Sequence, residues 1–124
     1  MTRSETRLAA LALVGAGGAL GASLRYGLAG WVPGWAPLGT LVANVLGAFL
    51  LGILLYEAHL AARLSAETRL LVGTGFCSSL TTYSTFAAET ASLAPHLAGG
   101  YVVGTYATGV AAILAGRLVA RWVA

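Results

Sequence analysis

The densest chemistry in this 124-residue chain is a run of hydroxyls. From Ser78 to Phe86 the order is Ser78-Ser79-Leu80-Thr81-Thr82-Tyr83-Ser84-Thr85-Phe86, and seven of the nine side chains carry an O–H. Gly73-Thr74-Gly75-Phe76-Cys77 leads into it. Hydroxyls at this density compete with the backbone for hydrogen bonds, by bonding the i−4 carbonyls and bending a helix or by helping to break it. Seven of them strain the bending reading, and the flanking glycines make a break plausible. Where such a break lies at membrane depth, the freed backbone must face protein, water or an ion, and its carbonyls suit a cation while its N–H groups suit an anion.

Other polar groups stand apart in apolar surroundings. Thr40 and Asn44 are four residues apart and share one helical face. Asn44 brings two N–H donors and an acceptor, serving either helix packing or a polar pathway. Arg25 can anchor a helix end at an interface or attract anions to a pore mouth. Glu89, after the hydroxyl run, suits proton or cation chemistry when buried, and beside an anion it must be protonated or turned away. Tyr101 and Thr105 are again four apart and can extend a polar lining. Cys77 reads as a small apolar filler. His59 and His96 have no second ligand nearby, and a single cysteine supports neither a disulfide nor a zinc site.

The elements holding these groups follow from the charges. There are seven Arg, four Glu, no Lys and no Asp, so charged residues are 9% of the chain against roughly 25% in soluble domains. So few charges cannot cover a water-facing surface, and a bilayer removes the need. A soluble enzyme, a nucleic-acid binder and a disordered chain are thereby excluded. The charges punctuate neutral runs long enough for membrane helices, which need about 20 apolar residues. The expected architecture is an all-α membrane protein, one domain over 1–124, with four transmembrane helices at about 8–29, 38–58, 69–93 and 97–121, the third broken in mid-membrane. Trp31, Pro33, Gly34, Trp35 and Pro37 suit an interfacial turn between the first two. The first span lacks a clear small-x-small cleavage site and is expected to be retained rather than removed as a signal peptide. With four spans, Arg3, Arg7, Arg63, Arg69, Arg117 and Arg121 share a side, with at most Arg25 opposite, which predicts cytoplasmic termini.

Small residues say how the helices meet. Most of the 17 glycines fall inside the spans, where lack of a side chain permits close approach in lipid. Gly15, Gly18, Ala22 and Ala29 are expected on one face of the first span, and Gly104, Ala112 and Gly116 on one face of the fourth. Gly15-Ala16-Gly17-Gly18 lacks the third glycine and the βαβ setting of a nucleotide loop. Four helices enclose little polar pathway alone, so a homo-oligomer with the pathway at the subunit interface is expected.

Three motifs, in order, carry a resemblance. Gly75 to Phe86 resembles the G-x-C-G-G-[LF]-[ST]-T-F-S-T-F signature of the Fluc (CrcB) fluoride channels. Gly39-Thr40-Leu41-Val42-Ala43-Asn44 resembles that family's G-T-L-x-x-N motif. Gly17-Gly18-Ala19-Leu20-Gly21-Ala22 with Leu24-Arg25-Tyr26 resembles its G-G-x-x-G-x-x-x-R motif. The resemblance implies a passive fluoride channel of the cell (inner) membrane and not an enzyme. It implies a dimer of two antiparallel four-helix subunits with fluoride pores along their interface. It implies a structural, untransported Na+ at the dimer centre, held by the backbone carbonyls of Ser78 and Thr81. The anion pathway implied comprises Asn44, Thr40, Tyr83, Phe86, Ser84, Thr85, Arg25 and Glu89, with Tyr101 and Thr105 as the polar track of the fourth span. Partners are then fluoride, membrane lipid and a second copy, or an oppositely oriented paralogue in a heterodimer; no nucleic acid is implied.

The chain departs from the pattern at Ser78-Ser79, which stand for Gly-Gly, and at Tyr83, which stands for a phenylalanine. Its six-to-one arginine bias also sits poorly with insertion in both orientations. Two other readings compete. A proton-coupled small multidrug-type exporter needs a carboxylate deep in the first span, which has none; Glu5 precedes it. A non-transporting membrane subunit leaves the hydroxyl run without a use.

Overall fold

Thr2 starts the first helix. Its hydroxyl accepts from the Glu5 N–H at 3.3 Å, and its own N–H donates to Glu5 Oε2 at 2.6 Å, a reciprocal cap. Helix α1 then runs Arg3–Trp31 and α2 runs Ala36–His59. Between them Gly34 takes φ +101°, a left-handed value that favours glycine. The third stretch is assembled from pieces. A short α3 (Ala66–Thr68), capped by Ser65, passes into a π-helical segment (Arg69–Cys77) and a further turn, α4 (Ser78–Leu80). The chain is extended at Thr81 and Thr82, and α5 (Tyr83–Ser92) resumes the helix. Helix α6 spans Pro95–Val123. The computed structural model describes residues 2–32, 34–59 and 64–123, with backbone alone for 57–59. Pro33 and Arg63, and the side chains of Glu57 and His59, lie outside what is described.

Among the described residues, three helical stretches are long and apolar enough to cross a membrane: Arg3–Trp31, Ala36–Tyr56 and Pro95–Val123. They make this a multi-pass membrane protein. The third stretch, expected to be broken, is interrupted at Thr81–Thr82. The break falls within the hydroxyl run and not at Gly73 or Gly75. Those glycines belong to the π-helical segment, whose wider turn keeps them helical.

The close approaches set the arrangement. Gly17, Gly21 and Gly75 are buried where α1 meets the third stretch. A Cβ on Gly17 would come within 2.9 Å of Phe76 N, one on Gly21 within 3.1 Å of Leu80 N, and one on Gly75 within 3.0 Å of Gly17 Cα. The two backbones therefore touch, as lipid-embedded helices with small-residue seams do. Rising numbers match rising numbers, so these two elements run parallel. Helices α2 and α6 meet equally closely: Gly52 lies against Ile113, and Gly116 against Phe49 and Ile53. The α1 and α6 faces differ from expectation in detail. A Cβ on Gly15 or Gly104 would meet nothing within 4 Å, and one on Gly18 would meet only the Ser79 hydroxyl. The α1 seam is the i, i+4 pair Gly17 and Gly21, one helical step round from Gly15 and Gly18, while Ala112 and Gly116 do sit buried on α6. Many apolar side chains point outward, among them Leu11, Leu20, Val103 and Leu114.

Candidate functional site

The site is built on the break. Continuing the helix would send the Thr82 N–H to the Ser78 carbonyl and the Thr85 N–H to the Thr81 carbonyl. Instead the Thr82 N–H donates to Asn44 Oδ1 at 2.8 Å, and the Thr85 N–H donates to the Thr82 hydroxyl at 3.3 Å. Asn44 returns a bond of its own, Nδ2 to the Thr82 carbonyl at 3.1 Å. Its side-chain amide thus pairs with the Thr82 backbone on both edges and pins the extended residues against α2. Arg25 reaches across from α1, donating from Nη1 to the Thr81 carbonyl at 3.3 Å. Two remote helices therefore answer the polar groups that the break exposes.

The expected hydroxyl lining divides into two uses. Ser78 bonds back to the carbonyls of Thr74 and Gly75, and the Thr81 hydroxyl to Cys77 O at 3.1 Å. Bending by back-bonding and a true break thus occur in the same run. Thr82, Ser84 and Thr85 form a hydroxyl cluster at the α5 N-terminus, with Thr82 to Thr85 Oγ1 at 3.1 Å and to Ser84 Oγ at 3.4 Å. Thr82 is the helix cap and the partner of Asn44. Its importance escaped the sequence, although a threonine just before a helical run is an N-cap signal.

Glu89 is drawn into a second network. Thr40, only 6% exposed, donates to Glu89 Oε1 at 2.9 Å, and the Tyr101 hydroxyl donates to Oε2 at 2.8 Å. Three elements, α2, α5 and α6, meet on this one carboxylate. Its two oxygens are turned to these donors, which is one of the two arrangements an anion pathway tolerates. Aromatic rings continue from it. Phe86 is buried with ring centroids 5.2 Å from Tyr101, 5.8 Å from Tyr83 and 6.2 Å from Tyr106, and Trp35 stands edge-on to Tyr101 at 5.7 Å. Tilted and edge-on rings present their positive rims sideways.

Two cavities flank the break. One, of about 330 Å³, is lined by Asn44, Thr81, Thr82, Tyr83, Phe86 and Thr105, with Tyr106 and the apolar face of α6 opposite. Thr105 Oγ1 is buried there without a hydrogen-bond partner among the described residues. The other, of about 300 Å³, is lined by Arg25, Tyr26, Thr40, Thr82 and Thr85. So Asn44, Tyr83, Phe86 and Thr105 come together, as do Arg25, Thr40 and Thr85. Ser78 and Ser84 line neither, and Glu89 and Tyr101 lie behind Thr40 and Phe86. Tyr106 was not anticipated; five residues from Tyr101, it gives no periodic signal of its own.

The sequence was compared with known proteins. The family model described as CrcB-like protein, Camphor Resistance (CrcB), matches residues 12–117. The chain belongs to the CrcB family. Among relatives, "Fluoride-specific ion channel FluC 1" of Natronomonas pharaonis is 55% identical over 113 residues, covering 91% of this CrcB chain and 95% of the relative. "Fluoride-specific ion channel FluC 1" of Haloarcula marismortui is 50% identical over 111 residues, covering 90% and 85%. "Fluoride-specific ion channel FluC 2" of Halobacterium salinarum is 52% identical over 110 residues, covering 88% and 84%. The stretch matched by the family model includes the whole Asn44–Thr82 junction and both cavities.

Proposed function

We propose that this CrcB protein is a fluoride-selective ion channel that lets fluoride leave the cytoplasm passively, lowering its concentration there. The observation that carries the proposal is the Asn44-pinned break beside a cavity of hydroxyls, amide and ring edges. Fluoride is small and holds its water tightly, so a pathway must replace that water with donors. Asn44 keeps a second Nδ2–H beyond the one given to Thr82. Thr105 has an uncommitted buried hydroxyl among the described residues, and Tyr83 is 72% exposed with its phenol free to donate. Phe86 offers a ring edge, and Arg25, which lines the second cavity with Thr85, raises positive potential at the mouth. Thr40 and Tyr101 keep the Glu89 oxygens occupied, so the carboxylate does not face the anion. The exporter reading has no comparable support.

The working unit in this proposal is an antiparallel dimer of four-span subunits in the cell membrane. The two broken pieces of the third stretch make up one crossing, beside α1, while α6 lies beside α2. The exposed Tyr83, beside the cavity, suits a partner chain. The partner in this proposal is a second copy of this chain in the opposite orientation, with the arginine bias overridden on insertion.

A structural sodium ion at the centre is part of the same proposal. The carbonyls of Ser78 and Thr81 fit it, because both have lost the i+4 donors that a continued helix would supply. The Thr81 carbonyl has two lone pairs and gives one to Arg25. When bound, the ion supplies a fixed positive charge close to the anion path. The Ser78-Ser79 replacement leaves these carbonyls in place.

The test is fluoride efflux from liposomes holding the purified protein, followed with a fluoride electrode. Passive fluoride release with chloride retained is expected. Equal chloride leakage, or no release of either ion, would refute the proposal. A fluoride-sensitive host that gains tolerance on expressing the gene is the cheaper companion measurement.

A further inference from the structure

The arginines at the far end of the molecule, away from the break, have a common setting. Arg117 and Arg121 are one helical turn apart on α6, both exposed, with Leu114 and Leu118 on the same face. Arg117 borders two cavities. One, of about 270 Å³, lies between α2 and α6 against Leu55, Tyr56 and Ile113; the other, of about 260 Å³, is formed with Leu114, Leu118 and Arg121. Leu55 also lines a third cavity, of about 240 Å³, with Arg69, Leu51, Leu54 and Thr74. Each cavity combines a guanidinium with at least one leucine, and among the described residues no acidic side chain lines any of them. Arg121 also answers the negative pole of the α6 C-terminus, but Arg117, a turn earlier, lies outside that last turn.

From this arrangement we infer that Arg117 and Arg121, with the Leu55–Tyr56 edge of α2, form a binding site for an anionic phospholipid. A guanidinium fork pairs with phosphate oxygens, and its aliphatic stem lies along apolar surface. Leu114 and Leu118, each about half exposed, give the acyl chains a wall directly below the charge. Basic pockets between membrane helices take lipid headgroups in this way, each arginine strengthening the attraction about fivefold. Trp122, 89% exposed, and Tyr56 mark the interfacial level at which the headgroup would sit. A free phosphate would use the guanidinium groups and leave the leucine wall idle, whereas a lipid uses both.

The experiment is native mass spectrometry of the purified full chain titrated with phosphatidylglycerol or phosphatidylcholine. Phosphatidylglycerol is expected to bind in preference. Substituting Arg117→Gln with Arg121→Gln should weaken it about 25-fold. Removing two charges elsewhere, by Arg3→Gln with Arg7→Gln, should change it less than twofold. Arg117→Lys with Arg121→Lys keeps the charges and should retain most of the binding, which covers the case where the glutamine variant fails to fold. Inorganic phosphate at millimolar concentration should leave the bound lipid in place. Equal binding of the neutral lipid, equal loss from the two glutamine pairs, loss of binding in a folded lysine pair, or full displacement by inorganic phosphate would overturn the inference.

Discussion

Asn44 is the position where structure and proposed conduction can be separated by charge. Asn44→Asp keeps an oxygen for the Thr82 N–H but replaces the donor that faces the Thr82 carbonyl at 3.1 Å. One hydrogen bond is lost, about 1 kcal/mol, and two oxygens are brought together. The larger effect falls on the anion. Two like charges about 4 Å apart at an effective dielectric near 20 repel by about 4 kcal/mol. Each 1.36 kcal/mol is about a factor of ten, so fluoride efflux should fall by roughly three orders of magnitude. Asn44→Ala removes both bonds to Thr82 without adding charge. It should lower stability by about 2 kcal/mol, and its efflux should fall much less than that of the aspartate variant. The assay is initial fluoride efflux from liposomes at matched protein density, with gel filtration and thermal melting on the same preparations. Efflux of Asn44→Asp within about twofold of the unmodified protein would refute placing the anion near this amide. Equal efflux in the two variants would refute the electrostatic part of the reasoning.

Further expectations follow from the remaining geometry. Tyr101→Phe and Thr40→Val each remove a hydrogen bond to the Glu89 carboxylate and should destabilise by about 1.5–3 kcal/mol in thermal or denaturant unfolding; combined, they should be non-additive because they share one acceptor. Gly21→Ala places a methyl against the Phe76–Leu80 backbone and should cut the yield of folded protein sharply, whereas Gly27→Ala, with nothing within 4 Å, should leave it unchanged. Arg25→Gln removes the bond to the Thr81 carbonyl and the positive charge at the second cavity, so efflux should drop about tenfold or more at low ionic strength and by a smaller factor at high salt. Tyr83→Phe keeps the ring and its contact with Phe86, so efflux should stay within about tenfold and fluoride should remain preferred over chloride; chloride leakage in this variant would give the phenol a direct role in selectivity.

Much of this site could be read from one dimension, because polar groups in an apolar chain announce themselves. The motif resemblance placed Asn44, Thr40, Arg25, Tyr83 and Phe86 around one site, and the hydroxyl run located the broken element. The position of the break could not be read as well. The flanking Gly73 and Gly75, which made a break plausible, themselves stay helical, Gly75 as part of the contact surface with α1. Thr81–Thr82 opens because Asn44 and Arg25 take over the bonding that a helix would otherwise provide. The role of Asn44 changed correspondingly: its amide is first a support for the Thr82 backbone, with one N–H left for other work. Local periodicity is blind to such partners, which lie 38 and 56 positions away in sequence.

What the sequence determined by itself is the solvent and the elements. Eleven charges, long neutral runs and small residues inside them leave a bilayer as the only environment in which this chain can hide its surface. Those features are additive along the chain and need no knowledge of what touches what. What only the tertiary structure decided is which polar atoms are already bonded and which remain. Glu89 could have been a proton site by its position alone, but Thr40 and Tyr101 converge on its oxygens. Thr105 could have been bonded across helices as Tyr101 is, but among the described residues its hydroxyl is left unpaired beside the cavity. A hydrogen bond is a property of a pair of groups in space, and that pairing exists only after the helices have chosen their neighbours.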